Sequence, residues 1–361
     1  MHTFKNFKNF ADVEIDLSKP MTLLIGRNGS GKSNLIEGVQ LSVWLMNNVE
    51  PYEITDIERG NKFEVRGGIQ GCFRQGHHTF EIGFKDEIDS KNVRYVIQVN
   101  LKPEISQESS FKPIDNVIKG ISSYLAEYDH VFFYDFYPQL MRQYSLTGLK
   151  QLSKNGANIS SVLYHLQKNT PDILQSILER IKELPEESFV SFEFITTSDD
   201  SDVLFALKYP NGEVINAKLL SDGTLRALAI LTALETVFEG SRVIIEEIDN
   251  GIHASRTQVL LNAIWETSHR RNLKTLITTH NSATLDGLEG EQLSSVVICH
   301  YDKETQSAKL TPFFELPHVE VLLQKGNLGG LVTRNVIEQY LDPKFEEKRQ
   351  EKMQSWLESI E

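Results

Sequence analysis

Two cysteines in 361 residues, Cys72 and Cys299, exclude a disulfide framework. No apolar run approaches the ~18 residues that a membrane-spanning helix needs. The opening Met1-His2-Thr3-Phe4-Lys5 lacks the apolar core of a secretory leader, so a cytoplasmic location without membrane attachment is the expectation. Positive charge is also in short supply. With 37 Lys and Arg against 50 Asp and Glu, the net charge is −13, and the chain as a whole does not attract nucleic acid. A local basic face stays open, with Arg142, Lys150, Lys154, Arg270, Arg271 and Lys274 as its candidates. Heptad runs, internal repeats and low-complexity tracts are missing too, which excludes a long coiled coil and a solenoid.

What is present is an ordinary globular composition, 40% hydrophobic and 24% charged, in a chain long enough for a large core. One stretch organises it: Leu23-Leu24-Ile25-Gly26-Arg27-Asn28-Gly29-Ser30-Gly31-Lys32-Ser33. A buried strand, a glycine-rich loop and a helix toward Trp44 follow one another, and the spacing fits G-x-x-x-x-G-K-[ST]. Glycines let such a loop turn its N–H groups inward on an anion, and the following helix adds its positive end. The expected nucleotide contacts run from Asn28 through Gly29, Ser30, Gly31, Lys32 and Ser33 to Asn34. Lys32 reaches for the β- and γ-phosphates and the Ser33 hydroxyl for Mg²⁺.

Patterning places further elements. Residues 2–17 read as a strand pair broken at Ala11-Asp12. Three strand-like runs, Phe63–Phe73, His78–Phe84 and Val93–Leu101, read as an antiparallel insertion, with a polar break at Asp86–Lys91. Residues 112–186 read as mostly helical, with segments at Pro113–Glu127, Asn158–Gln167 and Pro171–Leu184 and a buried strand at Val131–Phe136. Strands at Ser188–Thr196 and Val203–Tyr209 follow. Then strands and helices alternate, implying a parallel sheet: a helix over Asp222–Phe238, a strand over Arg242–Glu246, a helix near Ser255–Thr267, a strand over Leu276–Thr279 and a final strand near Ser294–His300. The expected division is 1–111, 112–186, 187–342 and a helical tail, 343–361. Met353, Trp356, Leu357 and Ile360 line one face of that tail, which either packs on its own domain or docks a partner.

Two more strand ends carry chemistry. Val243-Ile244-Ile245 ends in Glu246-Glu247, and a P-loop enzyme needs one carboxylate near Mg²⁺ and another group beside the γ-phosphate. Leu276-Ile277-Thr278-Thr279 ends in His280, placed either to donate to that phosphate or to cap its turn. Leu220-Ser221-Asp222-Gly223-Thr224 opens a helix, either as a plain N-cap or as a second anion-binding start.

The ordered set GRNGSGKS at 26–33, LSDGT at 220–224, VIIEEIDNGIH at 243–253 and ITTHN at 277–281 resembles the ABC-type ATPases, and within them the RecF/SMC/OLD-like AAA-family ATPases of repair and anti-phage defence. The resemblance runs from Asn6-Phe7-Lys8 to Gly329-Gly330-Leu331. It implies an α/β ATPase head with mixed and parallel sheets, an antiparallel β insertion and a helical lobe, using ATP and Mg²⁺. It implies a head-to-tail homodimer in which Ser221 and Gly223 engage the nucleotide of the opposite protomer. Glu246 takes the metal-binding carboxylate position, usually aspartate, and Glu247 that of the hydrolytic glutamate. His280 is the switch histidine, and Asn250-Gly251 lie near the dimer seam. Gln139 is the chosen metal-side glutamine, with Gln143 its rival. The implied function is an ATPase controlling a separate effector protein in defence; the alternatives are a RecF-like repair ATPase acting on DNA and a nucleotide-sensing scaffold with little hydrolysis.

Overall fold

The computed structural model describes residues 1–47, 49–57, 63–88, 91–101, 109–113, 130–184, 188–288, 290–342, 345, 350 and 354–356. The chain opens with strands β1 (His2–Phe7) and β2 (Phe10–Ile15), paired antiparallel with Phe7 opposite Phe10. Their turn is therefore Lys8-Asn9, with Lys8 left-handed at φ 49°, and not Ala11-Asp12. Asp12 sits inside β2 opposite Lys5, on its exposed side. Polarity suggested a break where it marks only the solvent face of a strand.

Strand β3 (Met21–Ile25) is buried throughout and feeds helix α1 (Lys32–Met46). The helix lies close against β1: a Cβ at Gly38 would meet the Phe4 ring at 2.6 Å. The expected strand over Phe63–Phe73 does not form. The two-residue β4 (Thr55–Asp56) and β5 (Glu64–Val65) pair in parallel, Phe73 makes a single antiparallel bridge to Phe7, and between them lie turns with a 3₁₀ turn at Gln70–Cys72. Gly67 and Gly68, both at positive φ, turn the chain there, while Val65 and Cys72 bury singly.

The antiparallel insertion is present as β6 (Thr79–Ile88), β7 (Lys91–Leu101) and β8 (Ser109–Pro113). The β6–β7 ladder runs to Ile88 opposite Lys91, so most of the polar stretch Asp86–Lys91 lies within it. The expected helix over Pro113–Glu127 falls outside the described residues, apart from Pro113 at the end of β8. Strand β9 (Val131–Tyr134) is not a buried interior strand: it forms the sheet edge, with Val131, Phe132 and Phe133 half-buried.

Helix α2 (Pro138–Met141), strand β10 (Ser145–Leu146) and helices α3 (Ile159–Asn169) and α4 (Pro171–Lys182) follow. Strands β11 (Ser191–Thr196), β12 (Asp202–Lys208) and β13 (Val214–Asn216) join β10 in a four-stranded antiparallel sheet. Then the alternation predicted from the sequence appears. Helix α5 (Asp222–Thr236) precedes β14 (Arg242–Ile245), and α6 (Ala254–Arg270) precedes β15 (Lys274–Thr279). Helix α7 (Ser282–Asp286) and β16 (Val296–Asp302) come next. Strand β16 is not the last: it turns into β17 (Ser307–Pro312) by an antiparallel hairpin. Short helices α8 (Val319–Gln324), α9 (Leu328–Thr333) and α10 (Val336–Tyr340) close this part. In the tail Met353, Leu357 and Ile360 lie outside the described residues, and Trp356 is exposed.

Among the described residues the main sheet has eleven strands in the order β8-β7-β6-β1-β2-β17-β16-β3-β15-β14-β9. Strands β9, β14, β15, β3 and β16 are mutually parallel neighbours, so the loops leaving their carboxyl ends share one edge. Both faces are covered, which explains the unbroken apolar runs. Leu23, Ile25, Val243, Ile245 and Ile277 enter one core, with α5 and α6. Leu24, Ile244 and Leu276 enter the other, with α1 and the N-terminal hairpin. No helix of the described residues is long and apolar enough to cross a membrane.

Candidate functional site

The loop between β3 and α1 has the expected glycine-built shape. Gly26, Gly29 and Gly31 all have positive φ, at 151°, 78° and 124°. A Cβ at Gly26 would run into the Cys299 carbonyl of β16, so only glycine lets the loop pass there. Lys32 folds back over the loop: its Nζ donates to the carbonyls of Gly26 at 2.6 Å and Arg27 at 3.1 Å. Burial holds this ammonium below its ordinary pKa, against the opposing pull of Cys299 and Glu247. Asn28 and Gly29 are exposed, and Ser33 is half-buried. Ser30 is buried, with its hydroxyl lacking a hydrogen-bond partner among the described residues. Asn34 turns its side chain sideways, donating to Asn9 Oδ1 at 2.8 Å and accepting from Arg66 at 3.0 Å.

Two strands away, Glu246 and Glu247 follow β14. The Glu246 N–H donates to the Tyr134 carbonyl of β9 at 3.2 Å, which sets Asp135 beside it. Burial, reinforced by the Asp135 carboxylate, pushes Glu246 up to about 7. The chain then turns sharply, with Glu247 left-handed at φ 46°. Its N–H donates to Thr278 Oγ1 of β15 at 2.9 Å, and its carboxylate accepts from Asn250 at 3.3 Å. His280 Nδ1 lies 4.0 Å from Glu247 Oε1, with both side chains half exposed. Lys32, Glu246, Glu247 and His280 thus gather at one sheet edge.

Ser221 and Gly223 take a different position. The Ser221 hydroxyl accepts from the Thr224 N–H at 3.1 Å and caps α5. Arg142 holds this loop, donating to the Leu220 carbonyl at 2.7 Å and to Asp222 at 2.5 Å. Gly223 abuts the turn after Glu247: a Cβ there would lie 2.8 Å from the Gly251 carbonyl oxygen. Gln139 is exposed on α2, and Gln143 is exposed just beyond it.

Four residues were missed by sequence reasoning. Asp135, at the end of β9, accepts from the Tyr137 hydroxyl at 2.9 Å beside Glu246. Asp249 is 4% exposed, and its Oδ2 accepts from the hydroxyls of Thr279 and Thr284. Arg66 bridges Asn34 and Glu37, which also pairs with Lys8 at 2.6 Å. Arg226, buried in the first turns of α5, has burial as the main influence lowering its pKa, opposed by Asp135, Glu247 and Asp222. Asp135 alone carried a usable signal, an acid at the end of an apolar strand.

The basic candidates are largely engaged. Arg270 pairs with Glu235, and Arg271 donates to the Leu234 and Val237 carbonyls at the end of α5. Lys274 donates to Asn272 at 3.2 Å. Lys150 and Lys154 are exposed.

The family model described as "AAA domain, putative AbiEii toxin, Type IV TA system" matches residues 21–286. The chain is 27% identical over 128 residues to the DNA replication and repair protein RecF of Leptospira interrogans, covering 35% of this chain and 32% of that protein. It is 25% identical over 191 residues to RecF of Lactobacillus gasseri, covering 49% and 50%. The chain therefore spans about a third to a half of the length of these curated relatives. Among solved structures it is similar to an SMC head bound to the C-winged helix domain of ScpA, with a TM-score of 0.57 and 15% identity over 86% of this chain and 95% of that one. An SMC head with an extended coiled coil, bound to the C-terminal domain of ScpA derived from Pyrococcus furiosus, gives 0.50 and 12% over 86% and 94%. These likenesses show a shared fold.

Proposed function

The chain belongs to this AAA-domain family and is an ATPase head of the ABC type, RecF- and SMC-like, and on that premise we propose that it binds and hydrolyses ATP with Mg²⁺ as a head-to-tail dimer. One observation carries the reading: the glycine-built loop with Lys32 folded over it shares a sheet edge with Glu247 and His280, 4.0 Å apart. Lys32 exchanges its two loop carbonyls for the β- and γ-phosphates. The buried Ser30 hydroxyl, without a hydrogen-bond partner among the described residues, fits a bound anion. The Ser33 hydroxyl and the Glu246 carboxylate are hard oxygen donors of the kind that hold Mg²⁺. The ion would neutralise charge on the phosphates. Glu247 orients the attacking water and accepts its proton, and His280 donates to the γ-phosphate from the end of β15. Gln139, exposed on α2, would be the further ligand to the metal. Ser221, which caps α5, and Gly223, in its first turn, complete the site of a second protomer. Lobes 1–111 and 187–342 supply the two halves, with 112–186 between them and 343–361 as a tail.

The output passes to a separate effector protein, in defence. Support comes from the toxin–antitoxin system named in the family description and from the net charge of −13, which gives the chain no overall attraction to nucleic acid. The similarity to RecF supports the second reading, a repair ATPase on DNA. Salt-dependent DNA binding would favour that one.

The test separates cis from trans. Lys32→Ala and Ser221→Arg damage different halves of a shared site, so a mixed dimer holds one site with both defects and one with neither. The mixture should release phosphate faster than either variant, and ATP should raise the dimer fraction in light scattering. No recovery in a mixture shown to contain heterodimers, with a monomer indifferent to ATP, refutes the shared site.

A further inference from the structure

The phosphate loop is tied to a part of the chain beyond residue 286, where the family match ends. Arg27 Nε donates to Glu338 Oε1 of α10 at 2.8 Å, and its Nη2 donates to the side chain of Asn335. Asn335 sits in the exposed turn between α9 and α10, left-handed at φ 55°. Both ends of that turn are anchored elsewhere. On one side the Gly330 N–H donates to Asp286 Oδ1 of α7 at 3.1 Å, and a Cβ at Gly329 would lie 1.9 Å from the Ser282 carbonyl oxygen. On the other side Ile337 and Tyr340 are buried in the core. The turn does not pack tightly on the loop. A cavity of about 910 Å³ lies between them, lined by Gly26 and Asn28 from the loop and by Val332, Ile337 and Leu341 from the helices. Among the described residues no backbone hydrogen bond joins the loop to α9 or α10. The bonds from Arg27 span that space.

A triphosphate seated in the loop changes the balance at this pair. Its charge attracts the Arg27 guanidinium, which leaves the loop directly after Gly26, and repels the Glu338 carboxylate bonded to it. The pair is weak enough to be traded: the Arg27 side chain is 62% exposed and that of Glu338 33%. Glu338 Oε2 is buried and, among the described residues, without a hydrogen-bond partner, a further cost of the closed arrangement. Resting on the nucleotide reading above, we propose that the Arg27–Glu338 pair is a latch between the phosphate loop and the α9–α10 turn that competes with ATP. The closed pair opposes nucleotide binding, and nucleotide binding opens the pair. The coupling is reciprocal, so the affinity that ATP loses to the latch equals the hold that the latch loses to ATP. The turn is anchored through α9 to α7, which starts two residues after His280. Its release therefore reaches the strand end that carries the histidine.

Amide hydrogen exchange and calorimetry on the whole chain test this, with Mg²⁺ and the non-hydrolysable analogue AMP-PNP, at a concentration where light scattering shows a monomer. In the wild type the nucleotide should speed exchange over 333–338. In Glu338→Ala exchange there should be fast already, and nucleotide should add nothing. Arg27→Gln reads the same release from the other side of the pair, and decides alone if Glu338→Ala does not fold. Glu338→Ala should also bind AMP-PNP about threefold tighter, within what an exposed ion pair is worth. Tighter binding in Glu338→Ala with wild-type exchange unmoved by nucleotide would mean that a charge and not a latch was removed, and overturns the proposal. Slower exchange over 333–338 with nucleotide, or weaker binding in Glu338→Ala, overturns it too and leaves the phosphate site standing. Failure of the wild type to bind AMP-PNP at all overturns the nucleotide reading, and the latch with it.

Discussion

Replacing Glu246 by Gln should stabilise the nucleotide-free protein above neutral pH and do little in mild acid. The carboxyl is partly buried beside Asp135 and holds its proton up to about 7, against an ordinary value of 4.5. Between those values the folded chain binds a proton that the unfolded chain has released, so stability falls as pH rises through the window and levels off above it. At 1.36 kcal/mol per pH unit the full span is about 3.4 kcal/mol; discounted for the remaining solvent access, about 2 kcal/mol is expected. Gln is nearly isosteric and does not titrate, so the variant escapes this cost. Urea unfolding in EDTA at pH 5 and pH 8 is the assay. The variant should gain little at pH 5 and about 2 kcal/mol at pH 8. A difference of the same size and sign at both pH values would refute the argument, because shape and not charge would then be the cause.

Other substitutions probe the remaining parts of the site. Lys32→Ala should lose most ATP affinity, since it removes the cation aimed at the phosphates; unchanged binding by calorimetry rules that role out. Glu247→Gln should still bind ATP but release phosphate about a hundredfold more slowly, the usual loss for an acid–base group. Wild-type turnover in that variant would pass the role to Glu246 or Asp135. Gly223→Ala should keep ATP affinity and lose ATP-driven dimerisation, because its Cβ would press on the Gly251 carbonyl oxygen; light scattering indistinguishable from wild type would show that this contact is slack.

The parts legible in the sequence were those where period and chemistry agree. Strand β3, the phosphate loop and α1 form such a unit: an apolar run, three closely spaced glycines and an amphipathic continuation. Strands β14 and β15 were legible for the same reason, as short apolar runs ending abruptly in acids or a histidine. The turn at Lys8-Asn9 was not, because a left-handed lysine carries no compositional signal, whereas Asp12 on an exposed strand face imitates one. The 63–73 run misled in the opposite direction. Its apolar residues anchor singly into the core, so their number suggested a strand that the glycines break. Arg66 and Asp249 depended on tertiary placement: one meets Asn34 and Glu37 across more than twenty residues of chain, and the other is buried against threonines of β15 and α7. Asp135 carried the local signal of an acid closing an apolar run, but its place beside Glu246 depended on β9 pairing beside β14.

The same placements suggest how the two halves of the site communicate. Asp249 accepts from Thr279 and Thr284, which flank His280, so the turn after Glu247 is fastened to the strand end that carries the histidine. Two residues on, the Gly251 carbonyl oxygen lies in the path of any Cβ at Gly223, so the same turn packs closely against the start of α5. Arg142 holds that start from the side of α2 through Leu220 and Asp222. A shift at the γ-phosphate that moves His280 or Glu247 must therefore pull on the loop bearing Ser221, through close-packed backbone and buried hydrogen bonds and not through long flexible side chains. If Ser221 meets the nucleotide of a second protomer, occupancy of one site changes the grip on the other through this short path. On the proposed function, hydrolysis would then be coupled to dimer opening, and a partner protein would read that coupled change.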